Sequence, residues 1–191
     1  RIYDGSGILS CSETNITRGG AAYYKGLYFP DPMWNFGSRF DNYFKYCYGG
    51  IHRVNYVIDN VERMLPNATS ESKKNLETII GEANLLRGKI YFRLISMWGD
   101  VPYIEHIVYD NSEVVNLSRM PIAQIKEKIM SDFTYAFNKL PDRSEISGRA
   151  AKPAALAFRG KLQLYWASWN KYGWPELSTF TPDPEEAKKA F

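Results

Sequence analysis

The residues best equipped for chemistry in this sequence are aromatic. Between positions 23 and 36 the chain carries Tyr23, Tyr24, Tyr28, Phe29, Trp34 and Phe36, with Asn35 among them and Lys25 and Arg39 close by. Sugars present apolar C–H faces and polar rims, so proteins hold them on aromatic rings flanked by amide and charged hydrogen-bonding groups, much as other amphipathic ligands are held. Tyr28, Trp34, Asn35 and Arg39 supply both kinds of group and are the candidate ligand-binding residues. Rings gathered on an irregular segment mark either a binding surface or a face that packs on further chain. The sequence leaves both uses open.

Catalysis has less to stand on. His52 and His106 are the only histidines, and neither has a cysteine or carboxylate at ligand spacing, so neither a metal site nor a His-based triad is indicated. The 21 Asp and Glu residues supply carboxylate pairs by number alone, and none sits in a glycosidase signature. No catalytic residue, metal or cofactor is expected.

The remaining charged and aromatic candidates are expected to be structural. Glu82 and Arg87 flank an apolar helical face, where a charge is tolerated only when paired or hydrogen-bonded. Arg149, at a turn beside a helix start, belongs with them. Trp98 is expected to anchor the loop at a helix exit by packing. In a later cluster, Tyr165 and Trp169 follow a buried stripe. Trp166 and Trp174 fall off it, free to face ligand, partner or further chain.

These residues need helices to position them. Leu76, Ile80, Ala83, Ile90, Leu94 and Met97 recur at three, four or seven residues, which puts them on one face of a helix. It stops at Trp98-Gly99-Asp100-Val101-Pro102: Gly99 supplies left-handed backbone, Val101 is pushed towards extended geometry by the proline after it, and Pro102 lacks an N–H. An earlier helix of about six turns is expected from Asp41, with Phe44, Cys47, Ile51, Val54, Ile58, Val61 and Leu65 on its buried face. There Cys47 acts as a small hydrophobe. The turn Leu65 to Thr69 joins the two as a hairpin. A polar connection of about fifteen residues, long for a compact domain, leads to a third helix at Pro121 with Ile122, Ile125, Ile129, Phe133, Ala136 and Leu140 on one face. A fourth helix follows Ser147 to Pro153 with the stripe Ala151, Ala155, Phe158, Leu162, Tyr165 and Trp169. Another begins near Pro184. Residues 1–40, broken by glycines and prolines, show no sustained period.

Two blocks resemble the SusD/RagB family of outer-membrane glycan-binding lipoproteins. In the first, Glu82, Arg87, Phe92, Leu94, Trp98, Gly99, Val101 and Pro102 match; Gly88 stands where the family has a small Ala, at a cost of about 1 kcal/mol in helix propensity. In the second, Leu140, Pro141, Gly148, Arg149, Ala150, Ala154, Ala155 and Ala157 match. With the segment Tyr48, Gly50, Ile51 and Asn55, the resemblance covers roughly residues 43 to 170. The hairpins start near residues 42 and 121, too far apart for a plain tetratricopeptide repeat of about 34 residues.

The resemblance implies an all-α fold of tetratricopeptide-like helical hairpins with long loop insertions. Residues 1–40 would be an aromatic-rich irregular segment, and 41–191 a helical-hairpin domain truncated at its C-terminal end, because family members run to several hundred residues. It further implies non-catalytic capture of an oligosaccharide, or a peptide, at the bacterial surface. Delivery would be to a SusC-like TonB-dependent outer-membrane transporter, with the membrane reached only through a lipid anchor not present in this chain. A helical-repeat scaffold that binds protein segments and a carbohydrate-active enzyme are the alternatives.

Composition narrows the classes. A hydrophobic content of 45% with 15% aromatics is that of a folding chain, and a net charge of +3 with dispersed basic residues lacks the footprint of a nucleic-acid binder. No apolar run reaches membrane-spanning length. Cys11 follows only Ile8-Leu9-Ser10, too short an apolar stretch for an acylation box. Cys11 and Cys47 offer one possible disulfide.

Overall fold

A computed structural model describes residues 11–12, 15–16 and 36–188, with side chains from position 43 onward. The chain divides into two compact units, Arg1–Gly50 and Ile51–Phe191. In the first, strands β1 (Cys11–Ser12) and β2 (Asn15–Ile16) pair antiparallel, Cys11 opposite Ile16. Helix α1 (Phe36–Met64) starts here and runs on into the second unit. It begins five residues before the expected Asp41, and Phe36 and Phe40 extend the four-residue spacing to Phe44. Phe44 and Tyr48, one turn apart, meet with ring centroids 4.7 Å apart. Tyr43 and Cys47 are buried.

The described regular elements of the second unit are helices, joined by irregular connections. After a 3₁₀ turn at Leu65–Asn67, α2 spans Ser70–Trp98. Thr69 caps it, its hydroxyl accepting from the Ser72 amide at 3.3 Å, which satisfies one of the donors that a helix start leaves open. A one-turn helix α3 (Ser112–Val115) interrupts the connection that the sequence shows only as polar. Helices α4 (Ile122–Lys139), α5 (Lys152–Tyr172) and α6 (Pro184–Lys188) follow. The fold is all-α, as the spacing of apolar residues requires.

Packing runs in series, α2 on α4, α4 on α5 and α5 on α6. All six stripe residues of α4, from Ile122 to Leu140, are buried. Helix α2 buries Ile80, Ala83, Ile90 and Leu94 of its stripe, leaves Leu76 and Met97 half-buried, and adds Leu85, Tyr91, Phe92 and Ile95. Helix α5 departs from expectation: of its stripe Ala155 and Leu162 are buried, while Ala151, Phe158, Tyr165 and Trp169 are half-buried, and Trp166, off the stripe, is 8% exposed and meets Phe180 edge-on at 5.3 Å. Trp174 stacks on Trp169 with centroids 4.0 Å apart. The chain after α5 folds back on that helix, so its buried face is shifted from the expected stripe towards Trp166 and Asn170.

Gly88 marks a close approach of α2 and α4. A Cβ there would stand 2.7 Å from the Phe133 ring and 3.2 Å from the Asp132 Cβ, and Phe133 in turn stacks on Phe158 of α5 at 5.7 Å. The bulk of Phe133 fills the space that an alanine would need. Replacing Gly88 by Ala should therefore lower stability by about 1–3 kcal/mol through overpacking, although helix propensity alone would favour the change by about 1 kcal/mol. A raised melting temperature for Gly88→Ala would refute this reading of the crossing.

Candidate functional site

The polar centre of the second unit forms around Arg87. Two turns beyond Ile80 on α2, its side chain is 11% exposed and that of its partner Asp132, on α4, is 5% exposed. Nε donates to Asp132 Oδ2 at 3.0 Å and Nη2 to Oδ1 at 2.7 Å, the bidentate geometry that suits a guanidinium to a carboxylate. Nη2 also donates to Asn84 Oδ1 at 3.0 Å, and Nη1 to Asn55 Oδ1 at 3.1 Å. Burial works to lower the Arg87 pKa, but the hydrogen bonds and charge of Asp132 outweigh it and hold the guanidinium above its ordinary value. Burial also pushes the Asp132 carboxyl up, against the pull of Arg87.

This centre grips the connection after α2. Asn55 uses its amide to donate to the carbonyls of Ile104 and His106, at 3.1 and 3.0 Å. The Tyr91 hydroxyl donates to the Ile104 carbonyl at 3.0 Å and accepts from the Ile104 amide at 2.7 Å. Burial raises the pKa of both Tyr91 and its ring neighbour Tyr103, which keeps the hydroxyl protonated and able to donate.

The corner before it is built with equal economy. Gly99 has φ +65°, and a Cβ would press on Leu177, so both backbone geometry and space demand glycine. Buried Asp100 accepts from the Ile122 amide at 2.8 Å through Oδ1, capping α4, and from the Thr179 hydroxyl at 2.6 Å through Oδ2. Val101 bridges to Met120, whose amide donates to the Val101 carbonyl at 3.0 Å. Trp98 and Pro102 are half-buried beside these groups.

The sequence-level candidates divide accordingly. Glu82 and Arg149 form a two-pronged pair, with Arg149 Nε 2.9 Å from Glu82 Oε1 and Nη2 on Oε2. It ties α2 to the turn before α5. Of the candidate ligand residues, Tyr28, Trp34 and Asn35 lie outside the described residues; Arg39 lies in α1, its side chain outside them. Sequence reasoning missed Asn84, Asp100 and Asp132, and took Asn55 only as part of a matched segment. Their signal was a polar residue within an apolar helical pattern or at a helix exit, where burial requires a partner. His106 Nε2 stands 3.5 Å from Glu113 Oε2. Among the described residues no His, Cys, Asp and Glu group could hold a metal ion, and no helix is long and apolar enough to cross a membrane.

Comparison with known proteins agrees with this scaffold. Residues 22–164 match the sequence model of a SusD-like family described as "Starch-binding associating with outer membrane". A SusD-like protein of Bacteroides ovatus is 32% identical over 129 residues, covering 66% of this chain and 22% of that protein. The chain spans less than a quarter of the length of the curated relatives it matches. Among solved structures, a SusD homolog from Bacteroides thetaiotaomicron superposes with a TM-score of 0.67 at 25% identity, over 80% of this chain and 28% of that one. A crystal structure with xylogluco-oligosaccharide gives 0.58 at 28% identity, over 77% of this chain and 27% of that one.

Removing one member of the buried pair leaves the other charged and unsatisfied. Arg87→Met should therefore cost about 3–5 kcal/mol, read as a fall in melting temperature. An unchanged melting temperature with lost glycan affinity would instead make Arg87 a ligand contact.

Proposed function

The chain belongs to the SusD-like family, and on that premise we propose that it takes part in non-catalytic capture of oligosaccharide at the bacterial cell surface. The match over residues 22–164 carries this reading, and a relative in fold at 28% identity is known with xylogluco-oligosaccharide. In this reading the helical unit is the scaffold. The aromatic segment before α1 and the first turn of α1 hold the ligand: Trp34 and Tyr28 stack on apolar sugar faces while Asn35 and Arg39 bond to hydroxyls. No bond is made or broken, so affinity is set by stacking and hydrogen bonding alone.

Delivery follows from the same premise. The protein would be a surface-exposed lipoprotein of the outer membrane, seated as a lid over a TonB-dependent transporter of SusC type, and lid opening would pass the glycan inward. The structural roles proposed for Glu82, Arg87, Trp98, Gly99, Pro102 and Arg149 fit a scaffold that must keep its shape through repeated opening. A folded helical unit with its charges paired internally meets that demand.

The test is affinity electrophoresis in native gels containing starch or xyloglucan. Parental protein should be retarded by at least one of them. Trp34→Ala should bind roughly tenfold more weakly, the scale expected from losing one stacked ring. A variant retarded as strongly as the parent removes Trp34 from the site, and a parent retarded by neither glycan counts against carbohydrate capture itself.

A further inference from the structure

At the turn between α1 and α2 the surface opens into a groove of about 640 Å³, within the range of small-ligand sites. Met64 and Leu76 give it apolar walls, and Arg63, Asn67 and Asn75 bring polar heads to it. The Thr69 hydroxyl at its edge is committed to Ser72 as a helix cap. The Asn67 and Asn75 carboxamides, by contrast, make no hydrogen bond among the described residues, and both are exposed. Each offers two donors and an acceptor in one plane, the pairing that adjacent sugar hydroxyls require.

The electrostatics select among ligands. No carboxylate lines the groove. Its one cation, Arg63, is already matched by Asp59, 2.5 Å away, so an acidic ligand gains little there and a neutral one loses nothing. The Tyr109 hydroxyl lies beside the Arg63 guanidinium, which occupies a donor of that cation a second time. Uncommitted amides and an apolar wall around a space of this size match a neutral polyol better than an anion or an apolar molecule.

We propose that this groove is a second carbohydrate-binding site of the protein, taking a neutral oligosaccharide against Asn67, Asn75 and the wall of Met64 and Leu76. The inference rests on the carbohydrate-capture reading and extends it to a site that shares no residue with the aromatic segment before α1. Two weak sites on one protein hold a long glycan more tightly than either alone, because the second contact forms within a complex already made.

The experiment titrates the full chain, isotopically labelled, with maltoheptaose, a xyloglucan heptasaccharide and an oligogalacturonate, following the Asn side-chain amides and Trp indoles by NMR. A neutral sugar should shift the Asn67 and Asn75 amides. The Asn67→Ala, Asn75→Ala double variant should abolish those shifts and weaken the binding that the groove contributes by about tenfold, the loss of two hydrogen bonds, with its melting temperature unchanged. Neutral sugar shifting the Trp34 indole but neither amide would overturn the groove and leave the capture reading standing. Amide shifts with oligogalacturonate alone would overturn the neutral assignment, and no response to any of the three would overturn both readings.

Discussion

Taking the Arg87 guanidinium and the Asp132 carboxylate out of water costs several kcal/mol per ion, and that cost constrains everything around them. It is offset only if their hydrogen-bonding positions are filled with good geometry. Asp132 supplies two bonds, but the remaining donors of Arg87 need further acceptors, and these come from Asn84 and Asn55. Each amide must then place its own donors. Asn84 returns its amide to the Ile80 carbonyl within α2, while Asn55 reaches the Ile104 and His106 carbonyls. One buried pair therefore fixes α4 to α2, α2 to the later half of α1, and all three to the connection that follows.

That connection shows how a long loop is held without regular structure. Its start is set by Asp100, which caps α4 and so links the end of one helix to the beginning of the next. Its middle is clasped by Tyr91, whose hydroxyl satisfies both the amide and the carbonyl of Ile104, a pairing that otherwise needs a neighbouring strand. Val101 and Met120 close it across its two ends. With its backbone bonded inward, the loop turns Glu105, His106 and Tyr109 outward.

The helices were legible in the sequence because burial on one face imposes a period, and α4 kept its six apolar residues where that period placed them. The centre was not legible in the same way. That Arg87 needed a partner follows from its place beside an apolar face, but nothing local names Asp132, 45 residues away, or separates it from the other carboxylates. Trp166 fell off the stripe of α5 because periodicity assumes one covering neighbour, whereas α5 has α4 on one side and α6 with the chain before it on another. Gly88 looked like a small loss of helix propensity until Phe133 showed what the missing methyl makes room for. The aromatic segment carried chemistry but no period, so its residues could be nominated and not arranged.

The buried polar groups that hold the scaffold and the side chains left free to bind a ligand are different sets, for a physical reason. Arg87, Asp132, Asn55 and Asn84 spend their donors and acceptors on one another and on backbone, and Asp100 spends both carboxylate oxygens on a cap and a hydroxyl. A sugar hydroxyl arriving at any of them would have to displace a buried, charge-assisted bond, which is worth more than the bond it would make. Such groups specify the scaffold and are indifferent to the glycan, consistent with a starch-binding description for the family and a xylogluco-oligosaccharide beside a related fold. In the proposed reading, recognition falls to side chains that the fold leaves uncommitted and exposed, such as the carboxamides at the α1–α2 turn.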